Sequence, residues 1–143
     1  MKIKLSAHGA YHHQYHVVWI PTYRKKVLKG ELKQYLEKGL CDIQTFHPDL
    51  EIETCSIQVD HMHLVMVIPP KYAVSDIVGT MTANTSREIR KRFPWIRRIY
   101  WRNALWSVGF FSSTVGVNED VIKRYVEFQE QVDTGKLQLD FGF

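Results

Sequence analysis

The chain has 143 residues, 45% of them hydrophobic, with 19 Lys and Arg against 15 Asp and Glu and a net charge of +4. That length suffices for one domain over residues 1–143 with a core of its own, and the apolar content excludes a disordered chain. No apolar run approaches the roughly 18 residues of a membrane helix, and the start, MKIKLSAHGAYHHQYH, has no apolar stretch of signal length. Cys41 and Cys55 are too few for a disulfide framework, so a cytoplasmic protein with two small buried thiols is expected.

Tyr11 to Pro21, YHHQYHVVWIP, is rich in aromatic and β-branched residues and ends at a proline, which predicts a strand. The basic turn TYRKK follows, with Arg24 and Lys25. Leu32, Tyr35, Leu36, Leu40, Ile43 and Phe46 then recur at helical spacing until His47-Pro48-Asp49 stops them. LEIETCSIQV alternates as a second strand, Asp60 turns the chain, and HMHLVMVI forms a third. Ser75 is the expected cap of a helix carrying Ile77, Val78, Met81, Thr85 and Ile89 on one side and closed by Pro94. A fourth strand region, LWSVGFFSSTVG, is interrupted by Gly109 and Gly116. Asn118 then caps a last helix, EDVIKRYVEFQEQV, with acids in its first turn and Gly135 past its end. The tail KLQLDFGF carries no clear pattern. This α+β order is that of a ferredoxin-like βαββαβ sandwich on an antiparallel sheet, RRM-like, with an added C-terminal helix. Many functions share the arrangement, so function has to come from a site.

The modest positive charge is unevenly spread. From Ser86 the sequence runs SREIRKRFPWIRRIYWR, with Arg87, Arg90, Lys91, Arg92, Arg97, Arg98 and Arg102 against the single acid Glu88. Phe93, Trp95, Tyr100 and Trp101 lie among them. Cations for phosphates and flat rings for unstacked bases suit a nucleic-acid surface. A solvated helix face followed by core aromatics would give the same pattern.

His61 and His63 head the third strand. Alternation puts them on one face with Val65 and Val67, opposite Met62, Leu64, Met66 and Ile68. Two imidazoles so placed can converge on one metal ion, although an H-x-H pair arises easily in a chain with seven histidines. His12, His13 and His16 cluster on the first strand without an assigned role. On the last helix, Tyr125 and Gln129 are four apart, on the face expected to hold Val121, Phe128 and Val132. A tyrosine there is ordinarily a core residue. A buried amide must satisfy both its oxygen and its nitrogen, and is harder to explain. If this helix packs over the third strand, Gln129 offers its carbonyl oxygen as a third ligand, with the Tyr125 phenol one turn away.

HMH on a strand with YVEFQ on a C-terminal helix resembles the HUH single-tyrosine transposases, of the insertion sequence 200-like, TnpA type. YHVVWIPTYRKKVL, VDHMHLVMVIPP, VSDIV, LWSVGFFSSTVG and the tyrosine helix stand in that family's order. The resemblance implies metal-dependent cleavage and rejoining of single-stranded DNA at insertion-sequence ends, without ATP. Tyr125 would be the nucleophile forming a 5′-phosphotyrosine. His61, His63 and Gln129 would be ligands of Mg²⁺ or Mn²⁺. It also implies a homodimer that recognises a subterminal DNA hairpin, with the tyrosine helix delivered in cis or in trans. Arg24, Lys25, Arg87, Arg90, Lys91, Arg97 and Arg98 are the candidate DNA contacts. One departure stands out: where a lysine–glycine pair is expected within the second helix, this chain has Thr82-Ala83. A domesticated relative acting on chromosomal repeats would share the chemistry. A non-catalytic single-stranded nucleic-acid-binding domain would use the basic aromatic segment alone.

Overall fold

The computed structural model describes residues 3–6, 9–101 and 104–136. Arg102 and most of the KLQLDFGF tail lie outside the described residues. A short hairpin opens the chain, β1 (Lys4–Ser6) paired with β2 (Gly9–Tyr11), which the sequence does not signal. The predicted first strand is therefore shorter than its apolar run: β3 spans Gln14–Trp19. Helices α1 (Gly30–Cys41) and α2 (Ile43–Phe46) lead to β4 (Glu51–Gln58) and β5 (His61–Val67). Then come α3 (Val74–Arg92), α4 (Pro94–Ile99), β6 (Phe111–Ser113) and α5 (Glu119–Asp133). The main sheet has the order β4-β5-β3-β6 with every pair antiparallel, which is the ferredoxin-like arrangement followed by a C-terminal helix.

The sheet divides its side chains by alternation. Val17, Trp19, Met62, Leu64 and Met66 point to one face. There they form the main core with Leu32, Leu36 and Leu40 of α1 and Ile77, Val78, Met81 and Ile89 of α3. Val18 and Ile20 point to the other face, where a smaller cluster forms with Val126 of α5. Leu64 is fully buried at the centre of the larger core, so Leu64→Ala should cost about 2–5 kcal/mol and lower the melting temperature by roughly 6–20 °C. A thermal scan checks this, with Val108→Ala, at a position 93% exposed, as the neutral control.

Several expectations need correction. Ser75 does not cap α3: the amides of Asp76 and Ile77 both donate to Ala73 O, so the helix starts from Ala73 and Ser75 lies inside its first turn. Pro94 does end that helix, and it also opens α4 from the first turn, where a missing N–H costs nothing. Phe93 and Tyr100 are buried in the core, and only Trp101 of the four aromatics in the basic segment is largely exposed, at 68%. Most of that segment's rings therefore hold the fold together. Phe46, expected on the inner side of the first predicted helix, ends α2 and is exposed to solvent. Both cysteines are exposed, one in the last turn of α1 and one on the edge strand β4.

Candidate active site

β5 pairs with β3 so that Val18 lies opposite His63 and His16 opposite Val65. His16, Val18, His61 and His63 therefore share the face away from α1 and α3. α5 packs on this same face: Ile122, Tyr125 and Val126 meet Val18, Ile20 and Phe111. Its apolar contacts are therefore with β3, the residue that follows it and β6, on the face that also carries the histidines of β5. Its inward side is Ile122, Tyr125, Val126 and Gln129, and Phe128 is 42% exposed. A register one residue away from the Val121–Phe128–Val132 reading accounts for the difference. Asn118 caps the helix as predicted, accepting from Val121 N at 2.9 Å.

The two histidines are held differently. His61 Nδ1 lies 2.8 Å from Asp60 Oδ1, and a carboxylate only accepts, so Nδ1 carries the proton. Its Nε2 has no partner among the described residues. Burial alone would raise the Asp60 carboxyl, yet its hydrogen bonds from His61 and Arg24 hold it below the usual range. His63 Nε2 lies 3.1 Å from His16 Nδ1, with the rings stacked at 5.3 Å between centroids. Burial, with the His16 and His61 rings adding to it, lowers the pKa of His63 and so favours its neutral form. His16 was given no role from sequence. The signal available was topological, because in a βαββαβ sheet the first and third strands are central neighbours.

Tyr125 and Gln129 form the other half. The Tyr125 hydroxyl donates to Gln129 Oε1 at 3.3 Å, and the ring lies 5.7 Å from that of Phe111. Burial, then the nearby Asp133 carboxylate, pushes the phenol well above its ordinary value. Gln129 is 5% exposed, and its Nε2 donates to Ser107 Oγ at 2.8 Å and Asp133 Oδ1 at 3.1 Å. Both partners were missed in the sequence. Ser107 is placed by its backbone N–H, which donates a hydrogen bond to Ile20 O, and by the bridge between Pro21 and Trp106 that prolongs the strand pairing. Gly109 takes φ +127°, and a Cβ there would stand 3.2 Å from Gln129 Oε1, so the loop passes close over the amide. Among the described residues no hydrogen bond joins Tyr125 or Gln129 to His61 or His63, and no three His, Cys, Asp or Glu side chains converge as a metal-holding group.

The candidate DNA cations fall into two sets. Lys25, Arg87, Lys91, Arg97 and Arg98 are exposed. Arg24 instead pairs with Asp60 at 2.9 Å and with Glu130 at 3.6 Å, and Arg90 donates to Tyr100 O at 2.9 Å. Thr82, at the position of the expected lysine, turns its hydroxyl onto Val78 O at 2.9 Å.

The family described as "Transposase IS200 like" matches residues 9–129, a span that holds both histidines, Tyr125 and Gln129. The chain belongs to this family. Its similarity to the transposase of insertion sequence element IS200 from Salmonella typhimurium is 29% identity, over 98% of this chain and 91% of that one. The ISDra2 transposase TnpA of Deinococcus radiodurans is also 29% identical, over 90% of this chain and 92% of its own. A crystal structure of a candidate transposase from D. radiodurans R1 superposes with a TM-score of 0.78 at 27% identity, covering 88% of this chain and 97% of the other. The protein is thus an IS200-like transposase by sequence and by fold. Among its described residues no helix is long and apolar enough to cross a membrane.

Proposed function

We propose that this transposase cuts and rejoins single-stranded DNA at the ends of an insertion sequence, with Tyr125 as nucleophile. The observation that carries the reading is that the tyrosine helix packs on the one sheet face that presents His61 and His63. The Tyr125 oxygen would attack the scissile phosphorus, forming a 5′-phosphotyrosine and releasing a 3′-hydroxyl. A 3′-hydroxyl of another strand would then attack that phosphotyrosine, freeing the phenol and restoring a phosphodiester. Each step exchanges one phosphate ester for another, so no nucleotide triphosphate is needed.

The phenol must lose its proton before it attacks, and in its buried setting beside Asp133 it holds that proton. Gln129 Oε1 accepts the hydroxyl's hydrogen and fixes the direction of the oxygen. His61 and His63 are the residues that would hold a divalent ion, and both suit it: His61 offers a bare Nε2 and His63 favours its neutral form. The Gln129 amide oxygen is the proposed third donor, supplied by α5 of the same or of a partner subunit. Two imidazoles and one amide oxygen suit an ion of intermediate hardness, Mn²⁺ readily and Mg²⁺ with retained waters. Such an ion, when bound, polarises the phosphate and offsets charge in the transition state. Lys25, Arg87, Lys91, Arg97 and Arg98 are the proposed contacts to a hairpin near the cut, and the protein is proposed to work as a homodimer.

The test is a denaturing gel of the protein with end-labelled single-stranded DNA carrying its element end. A covalent protein–DNA band should form with Mn²⁺ and vanish with a chelator. If the band is absent with metal present, the chain is not this enzyme, and the binding-module reading takes its place.

A further inference from the structure

Arg24 lies in a basic turn that reads as a DNA contact, yet both its arms are directed inward. Its Nε donates to Asp60 Oδ2 at 2.9 Å, while the other oxygen of Asp60 takes the Nδ1 proton of His61 at 2.8 Å. Its Nη1 lies 3.6 Å from Glu130 Oε1, next to Gln129 on α5. The backbone on which Arg24 sits is unusual. Tyr23 and Arg24 both take left-handed φ angles, 62° and 52°, which side-chain-bearing residues avoid. That conformation is held in place from α5 as well, since the Tyr23 amide donates to Asp133 Oδ2 at 3.0 Å. The opposite oxygen of Asp133 accepts from Ser107 Oγ and Gln129 Nε2. Strained backbone persists where its surroundings over-determine it. Thr22 is tied to Leu105 O and Ala104 O, and the tyrosine helix holds the Tyr23 amide and the Arg24 side chain.

We propose that Arg24 is a positioning residue that links the seating of the tyrosine helix to the presentation of His61. Through Asp60 it fixes the proton of His61 on Nδ1, leaving the Nε2 lone pair for a ligand. Through Glu130, and through the turn anchored on Asp133, it senses whether α5 is docked. Departure of α5 removes the Glu130 and Asp133 anchors together, relaxes the Tyr23–Arg24 turn and loosens Asp60. The histidine site is then fully formed only under a seated tyrosine helix, whichever subunit supplies it. A guanidinium suits this task because its planar fork can hold two carboxylates at fixed directions, whereas an ammonium is a single point charge. The inference rests on the proposed metal-dependent reading of the histidine pair.

The experiment uses the full-length, metal-free protein with ¹⁵N-labelled histidine, and compares wild type with Arg24→Lys, Glu130→Gln and Arg24→Ala. In the wild type, the His61 nitrogen resonances should report the Nδ1–H tautomer. Arg24→Lys and Arg24→Ala should give a mixture of tautomers and speed amide exchange in the last two turns of α5 by about tenfold or more. Glu130→Gln, which leaves the Asp60 contact in place, should do both more weakly. Arg24→Lys keeps the charge, so a fold lost only in the alanine variant leaves the test intact. Tautomer and exchange both unchanged in Arg24→Lys overturns the proposal, and so does a change in one without the other. Because neither readout involves DNA or metal, a wild type that forms no covalent adduct sinks the catalytic reading without altering this result.

Discussion

Tyr125→Phe is expected to abolish the covalent protein–DNA adduct, with strand transfer falling on the order of 10⁴-fold or more, while the fold survives. The ring is the part of Tyr125 that packs, against Phe111, Ile122 and the small cluster of Val18, Ile20 and Val126. Phenylalanine keeps all of that. What it loses is one long hydrogen bond that leaves Gln129 Oε1 without that partner, about 1–3 kcal/mol, and no longer burying a hydroxyl partly offsets even this. Gln129 remains tied to Ser107 and Asp133 through its nitrogen. Chemistry and stability should therefore separate cleanly. A melting temperature within a few degrees of wild type, an unchanged affinity for the hairpin and no adduct together identify the nucleophile. An adduct that persists on the phenylalanine variant would place the nucleophile on another residue.

The division between what the sequence conveyed and what it concealed follows the range of the interactions. Local patterns were legible. Alternation assigned His61 and His63 to one face and Met62, Leu64 and Met66 to the other, as the register confirms. The Asn118 cap and the Gly135 stop were readable because a capping side chain acts within three residues of itself. The order of elements sufficed for the sheet topology. Long-range matters were not legible. The His16–His63 contact spans two strands whose register no local signal sets, and Arg24 was read by its charge although its partners lie 36 and 106 residues away. The inward face of α5 was placed one register off because Phe128 outweighs Ile122 as an apolar residue. Only the neighbouring Phe111 and Val18 decide which of the two turns inward. The aromatic residues in the basic segment mislead for a similar reason: Tyr100 is tied by its hydroxyl to Thr22 O, a contact across 78 residues.

Replacing the histidines singly and together should give losses that do not add. If His61 and His63 hold one ion between them, either alanine variant leaves a lone imidazole, which does not retain the ion at ordinary concentrations. Each single change should then reduce adduct formation by more than the 10–100-fold typical of losing a supporting partner, and the double variant should be no worse than about tenfold below the weaker single. Asp60→Asn should fall between wild type and His61→Ala, because the imidazole stays and only its orientation and tautomer are released. Stability should respond in a different order. His61 is about one-fifth exposed at its side chain, so its loss removes little packing. His63→Ala removes the ring stacked on His16 and leaves His16 Nδ1 without that partner, which makes it the more destabilising of the two. Measured adduct yields over a Mn²⁺ titration, set beside melting temperatures, separate these cases. Equal losses from the single and double variants mean one shared ion. Losses that multiply would mean two imidazoles acting independently, as separate proton carriers or DNA contacts, and the shared-ion assignment would be discarded.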